Sequence, residues 1–492
     1  MESIEYYDTI DMLAEDIKKK TGINVAINDN AREIIIGEAI VHYEKTDLNL
    51  RSFSKPFFID NQIRLDLAGC NSNLKKELIE ICEAYTDHEL EAIVENMPIV
   101  KMFSSERRGH LTGTSVIWRD HFLEDNVGLL CAFIRMGVQP KDILVFDKGD
   151  STKHRVEITA TFKKLGFQVE LMDNNILEEQ DAMARGAEVI DRFITDRMNK
   201  KIIILDDGAI VTKILSKLYY SNVVAIVELT EMGLRRIKKM EDFSIRYPVL
   251  NLAKTELKKH ITYKEISNTI FTRCIALLGD EKISGRVIIQ LGYGDLGRVL
   301  AKRFRQYGAR VCIVDPDIMK LIQAAEEGFA VYNTLEEAME WDTPFMIIGA
   351  SGEQSISRKA VFNLKDGAFV TAGATADLSI FKQLEQEGVR HKFIPQYGTQ
   401  YEIQGKRITV LGNGRSVNLF DSESIPNQSI DIFKAGTLVT AYKSLLQESK
   451  LPCGLQLEIV NQWIKDAGIL ETYYEIYLKK RGNAHGRIAN KI

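Results

Sequence analysis

The sequence lacks several features that would assign a class of protein at once. Its six cysteines are scattered without a Cys-x-x-Cys pair, which argues against a zinc site or a disulfide framework. No apolar run approaches the roughly 18 residues that span a bilayer, and the acidic start MESIEYYDTIDMLAEDIKKK lacks a signal-peptide layout. A formal net charge of -5 gives no basic surface for nucleic acid or an anionic membrane. We therefore expect a cytoplasmic protein with no metal, no nucleic-acid partner and no membrane.

Short apolar runs that alternate with helical stretches are the main pattern present. With 492 residues, 45% of them hydrophobic and 27% charged, the chain has an ordinary globular composition and a length that favours two or three domains. Continuous apolar runs predict strands of parallel sheets covered on both faces. The predicted strands are 142–147, 167–172, 201–207, 223–229, 248–253, 286–292, 310–315, 344–350 and 368–374.

A glycine-rich turn follows one of these runs in VIIQLGYGDLGRVLAKRF, residues 287–304. Gly292, Gly294 and Gly297 form Gly-x-Gly-x-x-Gly between a predicted strand and a predicted helix, an arrangement that cradles a pyrophosphate on the helix N-terminus. Asp315 ends the next run, where an acidic side chain accepts hydrogen bonds from the adenosine ribose of NAD. No arginine follows Asp315 directly, which favours NAD over NADP. The alternative is a glycine turn that holds no cofactor.

The alternation breaks around residues 255–285, where the pattern predicts one long helix and a turn. The sequence therefore predicts an α/β fold with two Rossmann-like domains flanking a cleft, plus an N-terminal extension. The predicted units are an extension at 1–88, a substrate domain at 89–255 completed by 421–450, an NAD-binding domain at 262–420, and a C-terminal helix and tail at 451–492.

Reading outward from the glycine turn, the chain resembles the adenosylhomocysteinase family over roughly residues 89–450. The motifs that carry the resemblance are ENMPIVKMF (95–103), LDDGAIVT (205–212), VELTEMGLRRIKKM (227–240), SGRVIIQLGYGDLG (284–297), QAAEEGF (323–329) and VLGNGRSVNL (410–419). The resemblance implies a tightly held NAD that transiently oxidises a ribose 3′-hydroxyl. The resulting ketone acidifies the neighbouring hydrogen, so that elimination, addition of water and re-reduction can follow.

The resemblance also implies site residues. Lys258 matches the lysine that acts on the hydroxyl, Asp207 matches the aspartate near the leaving group, and His121 matches an N-terminal catalytic histidine. Asp125 falls at the adenine-recognising position, and Glu228 lies beside the position of a ribose-binding glutamate, which here is Leu229. The predicted cofactor contacts are Thr230, Gly292, Gly294, Asp295, Leu296, Gly297, Asp315, Gly349, Gly373 and Asn418.

Each candidate also has a plainer interpretation. Asp206 and Asp207 end a strand, and an aspartate there often caps the next helix. Lys258 lies among Lys254, Lys259 and His260, which is typical of a solvated basic face. His121 has apolar neighbours and could be a packed core histidine, and Asn418 could bond its own loop.

Several family positions are replaced. They are Leu229, Glu231, Met232, Thr262, Tyr263, Ala374 and Ile425. The NAD side is therefore kept better than the substrate side. Our first hypothesis is an NAD-dependent enzyme that transiently oxidises a nucleoside or sugar-like alcohol to enable elimination, hydration or epimerisation. The alternatives are true adenosylhomocysteine hydrolysis with substituted ligands, and a catalytically silent NAD-binding regulator. The resemblance implies a homo-oligomer.

Overall fold

Three β-sheets organise the part of the chain that the computed structural model describes: residues 3–6, 8–46, 62–173, 180–240, 246–351, 356–373, 378–395 and 397–479. We name the three parts after their sheets: the N-terminal unit, the seven-stranded unit and the eight-stranded unit. No helix within these ranges is both long and apolar enough to cross a membrane.

The N-terminal unit is an antiparallel sheet with two helices and its own core. Its sheet order is β1-β5-β4-β3-β2. Alternating side chains such as Ile34 and Ile36 point into the core, which is the pattern of a sheet with one buried face. The elements are β1 (Ser3–Tyr6), α1 (Ile10–Thr21), β2 (Val25–Asn28), β3 (Glu33–Ile36), β4 (Ala39–Thr46), β5 (Gln62–Asp66) and α2 (Ser72–Glu83).

The seven-stranded unit is fully parallel and has a separate apolar cluster on each face. Along the central strand TSVIWRD, Val116 and Trp118 join one cluster while Ile117 joins the other, as expected for a doubly covered sheet. Its first elements are α3 (Asp87–Glu95), α4 (Pro98–Ser105), β6 (Thr114–Asp120), α5 (Glu124–Arg135), β7 (Ile143–Asp147), α6 (Arg155–Leu165), β8 (Gln168–Leu171), α7 (Gln180–Thr195), β9 (Lys201–Asp206), α8 (Ile210–Leu215), β10 (Val223–Glu228), α9 (Glu231–Lys239) and β11 (Pro248–Asn251).

A π-helical turn, Lys258–Thr262, runs into the long helix that begins the eight-stranded unit. The sheet is parallel apart from two strands with antiparallel pairing at one edge. The elements are α10 (Tyr263–Leu278), β12 (Val287–Leu291), α11 (Asp295–Gln306), β13 (Arg310–Val314), α12 (Ile318–Glu326), β14 (Ala330–Tyr332), α13 (Leu335–Trp341), β15 (Met346–Gly349), α14 (Arg358–Asn363), β16 (Phe369–Ala372), α15 (Ser379–Gln386), β17 (His391–Ile394), β18 (Gly398–Ile403) and β19 (Lys406–Leu411).

The chain then returns to the seven-stranded unit. Helix α16 (Asn427–Leu446) packs on α4, α5 and β10, and β20 (Gly454–Gln456) pairs with β11 to form the edge of the sheet. Helices α17 (Ile459–Asp466) and α18 (Ile469–Tyr473) join the same core. The sequence analysis assigned 451–492 to a C-terminal helix and tail, whereas the structure adds a strand there. Residues 480–492 lie outside the described residues.

Both large sheets have the doubly wound order. The seven-stranded sheet runs β20-β11-β10-β9-β6-β7-β8, and the eight-stranded sheet runs β14-β13-β12-β15-β16-β19-β18-β17. In each sheet the order reverses next to the first strand, between β6 and β9 and between β12 and β15. The predicted α/β fold with two Rossmann-like units is confirmed. Every strand predicted from an apolar run is present, but β6, β14 and β17–β20 of these sheets and all five strands of the N-terminal unit were not predicted.

Candidate active site

A cleft of about 1010 Å³ lies where the carboxyl ends of the two large sheets face each other. Its walls include the segments that follow β6 and β9 on one side and β12 and β15 on the other. These pairs of strands are the switch points of the two sheets, which is where open α/β sheets bind their ligands. The fold therefore places both groups of predicted site residues on one cleft.

The glycine turn has the geometry that a dinucleotide requires. Gly292 has a φ of +106°, which favours glycine in the tight turn after β12. A Cβ added to Gly297 would lie 2.4 Å from the carbonyl oxygen of Gly292, so only glycine lets α11 pack this close. A Cβ added to Gly294 would meet nothing within 4 Å, because that face opens into the cleft. The open face at the N-terminus of α11 fits a pyrophosphate.

Two buried side chains hold this turn in place. Gln290 Nε2 donates to the carbonyl oxygens of Gly292, at 2.9 Å, and Gly297, at 2.8 Å. Asp315 accepts from the backbone N–H of Tyr293 at 2.8 Å while it also lines the cleft. Asp315 therefore joins the ends of β12 and β13, and its carboxylate borders the space for the cofactor.

The other predicted cofactor contacts occupy different positions around the cleft. Asp295 and Leu296 line it at the start of α11. Thr230 lines it and caps α9, because its hydroxyl accepts from Gly233 N at 3.0 Å. Three more lie near the ends of β15, β16 and β19: Gly349, Gly373 and Asn418. Of these, Gly373 and Asn418 line the cleft, while Gly349 lies behind Gly373 and accepts its backbone N–H at 2.6 Å.

Four ionisable side chains form a chain of contacts on the opposite wall. The Lys148 ammonium donates to Asp207 Oδ1 at 2.5 Å and lies 3.2 Å from His121 Nε2. On its other side, His121 Nδ1 lies 2.5 Å from Asp150 Oδ2. The Lys148 side chain is only 5% exposed. We call Asp207, Lys148, His121 and Asp150 the polar cluster.

The charges of this cluster stabilise one another. Burial alone would raise the pKa of Asp207, but the charge and the hydrogen bond of Lys148 hold it well below its usual range. Burial acts in the same direction on Asp150, where the hydrogen bond from His121 and the charges of Lys148 and Arg415 lower the pKa. Both carboxylates are therefore ionised at neutral pH, and each can accept a hydrogen bond from a neighbouring acid.

Asp120, His121 and Asp207 bring three potential ligand atoms within 4.8 Å of one another. Such a group can hold a metal ion, since carboxylate and imidazole are common ligands. The Lys148 ammonium, however, bonds to Asp207 and contacts His121 at this position. The positive charge that the carboxylates require is therefore supplied by the protein, and we assign no metal here.

Lys258 lies inside the cleft, apart from its basic neighbours. It is buried in the π-helical turn, while Lys254, Lys259 and His260 are exposed. Its ammonium donates to the carbonyl oxygen of Leu229 and lies 4.5 Å from the centre of the Phe433 ring. Burial lowers the pKa of Lys258 to about 8, although Asp207 opposes the shift. A solvated basic face does not describe this lysine.

Asp125 is also on the cleft, paired with a lysine that the sequence analysis did not identify. Lys434, from α16, lies 3.2 Å from Asp125 Oδ2 and 3.1 Å from Asp120 Oδ2. Burial raises the pKa of Asp125, and Lys434 opposes this. Lys434 also contacts Asn126 Oδ1. This pairing lets Asp125 remain in a buried position. Together, Asp125 and Lys434 present both signs of charge to a ligand.

Two acids point away from the cleft: Glu228, a predicted substrate contact, and Asp206, the neighbour of Asp207. Glu228 accepts from the backbone N–H groups of Gly208, Ala209 and Thr230 at 2.8 to 3.1 Å, so it holds the turn that carries Asp207. Burial raises the pKa of Glu228 to about 8, and Asp206 adds to this. Asp206 accepts from Thr212 N at 2.7 Å and is buried. A substrate contact by Glu228 stays a prediction, and its partners in the structure include the Thr230 hydroxyl, at 2.7 Å, as well as these backbone groups.

Sequence reasoning missed Lys148, Asp150 and Lys434. The first two follow the run ILVFD directly, in DKGD, so a rule that examines every polar residue after a predicted parallel strand could have found them. Lys434 had no such signal, because it lies within a long helix far along the chain. Ala374, a position where the family pattern is replaced, lies outside the described residues.

Comparison with known proteins places one domain in a family. Residues 269–424 match the model of the S-adenosyl-L-homocysteine hydrolase NAD-binding domain. The chain is 27% identical over 354 residues to the adenosylhomocysteinase of Saccharolobus solfataricus, covering 65% of this chain and 83% of that protein. It is 29% identical over 307 residues to the Sulfolobus acidocaldarius adenosylhomocysteinase, covering 57% of this chain and 72% of that protein. The prediction of NAD as cofactor is confirmed.

Solved structures show a more distant similarity. A dipicolinate synthase chain of Bacillus halodurans is 16% identical, with a TM-score of 0.36 and coverage of 68% of this chain and 99% of that one. The phosphoglycerate oxidoreductase of Vibrio cholerae is 11% identical, with a TM-score of 0.38 and coverage of 68% and 98%.

Proposed function

We propose, from the match of residues 269–424 to the family's NAD-binding domain and the similarity to adenosylhomocysteinases, that the chain is a divergent member of this family. As such it would be an NAD-dependent enzyme acting on a nucleoside or sugar-like alcohol. Its reaction would be a transient oxidation of a secondary hydroxyl that enables elimination, hydration or epimerisation at the neighbouring carbon. NAD, held by Gly292, Gly294, Gly297 and Asp315, would supply the hydride acceptor and later the hydride donor. We also expect a homo-oligomer.

The observation that carries the proposal is the buried ammonium of Lys258 in the cleft that the glycine turn also lines. A base that removes a hydroxyl proton near neutral pH needs a pKa close to the working pH. Burial lowers the pKa of Lys258 to about 8, which gives a useful fraction of free amine. The hydroxyl proton would pass to Lys258 as the hydride leaves the carbon with its electron pair.

The cleft wall that the seven-stranded unit forms suits the second half of such a reaction. A ketone acidifies the hydrogen on the neighbouring carbon, so a modest base can remove it. Asp207 and His121 lie together on this wall, with His121 Nε2 3.8 Å from Asp207 Oδ2. We assign them the handling of protons at the leaving group and Asp125 a contact to the base or ring of the substrate.

Bound cofactor and its reduction provide the test. The purified protein is denatured, and the released NAD is quantified per chain. The intact protein is then incubated with adenosine, adenosylhomocysteine and a panel of nucleosides while the NADH absorbance band is followed. We expect reduction by at least one alcohol. A Lys258→Met variant should reduce NAD about 10²–10⁴-fold more slowly, whereas Lys259→Met, its exposed neighbour, should match the wild type.

The outcomes distinguish the alternatives. Turnover of adenosylhomocysteine to adenosine and homocysteine in preference to other substrates would favour true hydrolysis with substituted ligands. Stoichiometric NAD that no alcohol reduces would favour the silent regulator. A protein without affinity for NAD would contradict all three.

A further inference from the structure

We propose that Lys148 is a further catalytic residue, the acid that protonates the leaving group. The proton handling assigned above to Asp207 and His121 then narrows: His121 takes the carbon proton, and Asp207 pairs the Lys148 ammonium. This inference rests on the function proposed above and assigns a residue that neither the sequence motifs nor the family resemblance identified. The observations that carry it are the contacts of Lys148 with Asp207 and His121 and its place on the cleft wall.

A buried lysine needs a reason, because moving an ammonium from water into the protein costs several kcal/mol unless it is paired. Asp207 provides the pairing at 2.5 Å. The ammonium has three donor hydrogens, and it reaches His121 with a second one at 3.2 Å. Since Lys148 also lines the cleft, a hydrogen is available to a bound ligand. Lys148 is therefore positioned as a donor between two proton acceptors.

The contacts of His121 decide its proton arrangement. An ammonium can only donate, so Nε2 of His121 must accept and carries no hydrogen. Nδ1 therefore carries the hydrogen and donates it to Asp150 Oδ2 at 2.5 Å. Nε2 is then the nitrogen that can act as a base, and it lies 3.2 Å from the Lys148 ammonium. An acid and a base thus lie side by side, facing one substrate.

The proposed step is balanced in atoms and charge. His121 Nε2 takes the proton from the carbon next to the ketone, and the electron pair forms a carbon–carbon double bond. The bond to the leaving atom breaks, its electron pair goes to that atom, and Lys148 donates a proton to it. The proton on His121 then crosses to the neutral amine of Lys148. Both residues return to their starting forms, and the net change is loss of the protonated leaving group.

The proposal gives Lys148 and Lys258 different halves of the reaction. Lys258 would serve oxidation of the hydroxyl, and Lys148 would serve elimination. A Lys148→Met variant should therefore reduce its bound NAD with adenosylhomocysteine within about threefold of the wild-type rate. Its release of homocysteine, measured with a thiol reagent, should fall about 10²–10⁴-fold. Lys153→Met, in the same loop but exposed, is the matched control.

A leaving group that needs no proton separates catalysis from a merely structural effect. Adenosine with a 5′-(4-nitrophenyl)thio group expels a stable thiolate, so Lys148→Met should release it at a rate close to the wild type. Lys148→Arg keeps the positive charge, but arginine is too weak an acid to donate the proton. It should therefore release homocysteine as slowly as Lys148→Met does, and it should release the nitrophenylthiolate at a rate close to the wild type. Thermal unfolding and NAD content identify variants that fail to fold.

The results separate this inference from the proposed function. If Lys148→Met slows release of both leaving groups equally, or neither, Lys148 is not the acid and the proposed function stands. If the wild-type protein with bound NAD neither reduces it nor releases thiol from any substrate, the proposed function fails and the role of Lys148 fails with it. Slow release that the nitrophenylthio group rescues supports both.

Discussion

At the scale of single residues, two adjacent aspartates at the end of β9 have opposite tasks. Asp206 accepts from Ile210 N, Thr212 N and Thr212 Oγ at 2.7 to 3.3 Å and so secures the start of α8. Asp207 points into the cleft and pairs with Lys148. Side chains alternate across a strand, so one aspartate can serve the fold while the next serves the site.

This division predicts different effects of substitution. Asp206→Ala should lower the free energy of unfolding by about 1–3 kcal/mol, because two backbone donors and a hydroxyl lose a charged acceptor in a buried place. Asp207→Asn removes the charge that pairs the buried Lys148 ammonium, so it should lower stability as well, but unlike Asp206→Ala it should also slow thiol release in the protein that remains folded. Chemical denaturation of both variants, combined with the thiol-release assay, measures this. An equal rate of thiol release by the folded fractions of the two variants would contradict the division of roles.

The pH dependence of the oxidation half-reaction should identify Lys258. Its pKa is lowered by burial to about 8, and only the free amine can accept the hydroxyl proton. The rate of NAD reduction should therefore rise about tenfold per pH unit below that value and level off above it. Stopped-flow absorbance across this range records the curve. A Lys258→Met variant should show a flat profile, and a wild-type rate that falls with rising pH would contradict the assignment.

At the scale of elements, the turn between β12 and α11 separates two uses of glycine. Gly297 has no room for a side chain against the Gly292 carbonyl, whereas Gly294 faces open space. Close helix packing explains the first glycine, and approach of a pyrophosphate explains the second.

Two alanine variants test that separation. Gly297→Ala should shift α11 and lower both the melting temperature of the NAD-free protein and its affinity for NAD. Gly294→Ala should leave that melting temperature unchanged yet weaken NAD binding about tenfold or more, because the methyl group occupies cofactor space. Differential scanning calorimetry and titration calorimetry give the two readings. Unchanged affinity in Gly294→Ala would place the cofactor elsewhere.

What the sequence could predict follows from how local each element is. Nine strands of the two large sheets, β7–β13, β15 and β16, are apolar runs, and the glycine turn is one contiguous stretch, so both were predictable. The missed β6 is a short segment whose ends are polar, TSVIWRD, although it is buried along its whole length. The polar cluster depends on β7, β6 and β9 lying side by side. That order is a property of the sheet, so Lys148 and Asp207 could not be paired from their positions in the chain.

At the scale of the whole molecule, the two large units are joined by an arginine as well as by the chain. Arg415, which follows β19, donates to the Gly149 carbonyl at 2.5 Å and contacts Asp150 at 3.1 Å and Asp173 at 3.0 Å. Nearby, Asp421 N donates to the Ser151 carbonyl at 2.8 Å. The eight-stranded unit thereby holds the residue that orients His121.

This contact predicts that the two units must be together for elimination to proceed. Arg415→Met should leave NAD content unchanged, because the glycine turn is distant in the chain and intact. Thiol release should fall about tenfold or more, since Asp150 loses a charged partner and His121 its fixed orientation. Arg407→Met, an exposed arginine of the same unit, is the control. Full activity in Arg415→Met would show that His121 is oriented without help from the eight-stranded unit.

The return of the chain through α16 and β20 has a consequence for the order of synthesis. The core of the seven-stranded unit contains Trp118 and Phe122 but also Phe433 and Trp463, which are translated after the entire eight-stranded unit. A nascent chain that has reached residue 420 therefore holds a complete cofactor-binding unit beside an incomplete neighbour with exposed apolar surface. Domains generally fold as units during translation. We expect the eight-stranded unit to fold before the seven-stranded unit on the ribosome. It should become resistant to protease while the seven-stranded unit still lacks its last helices.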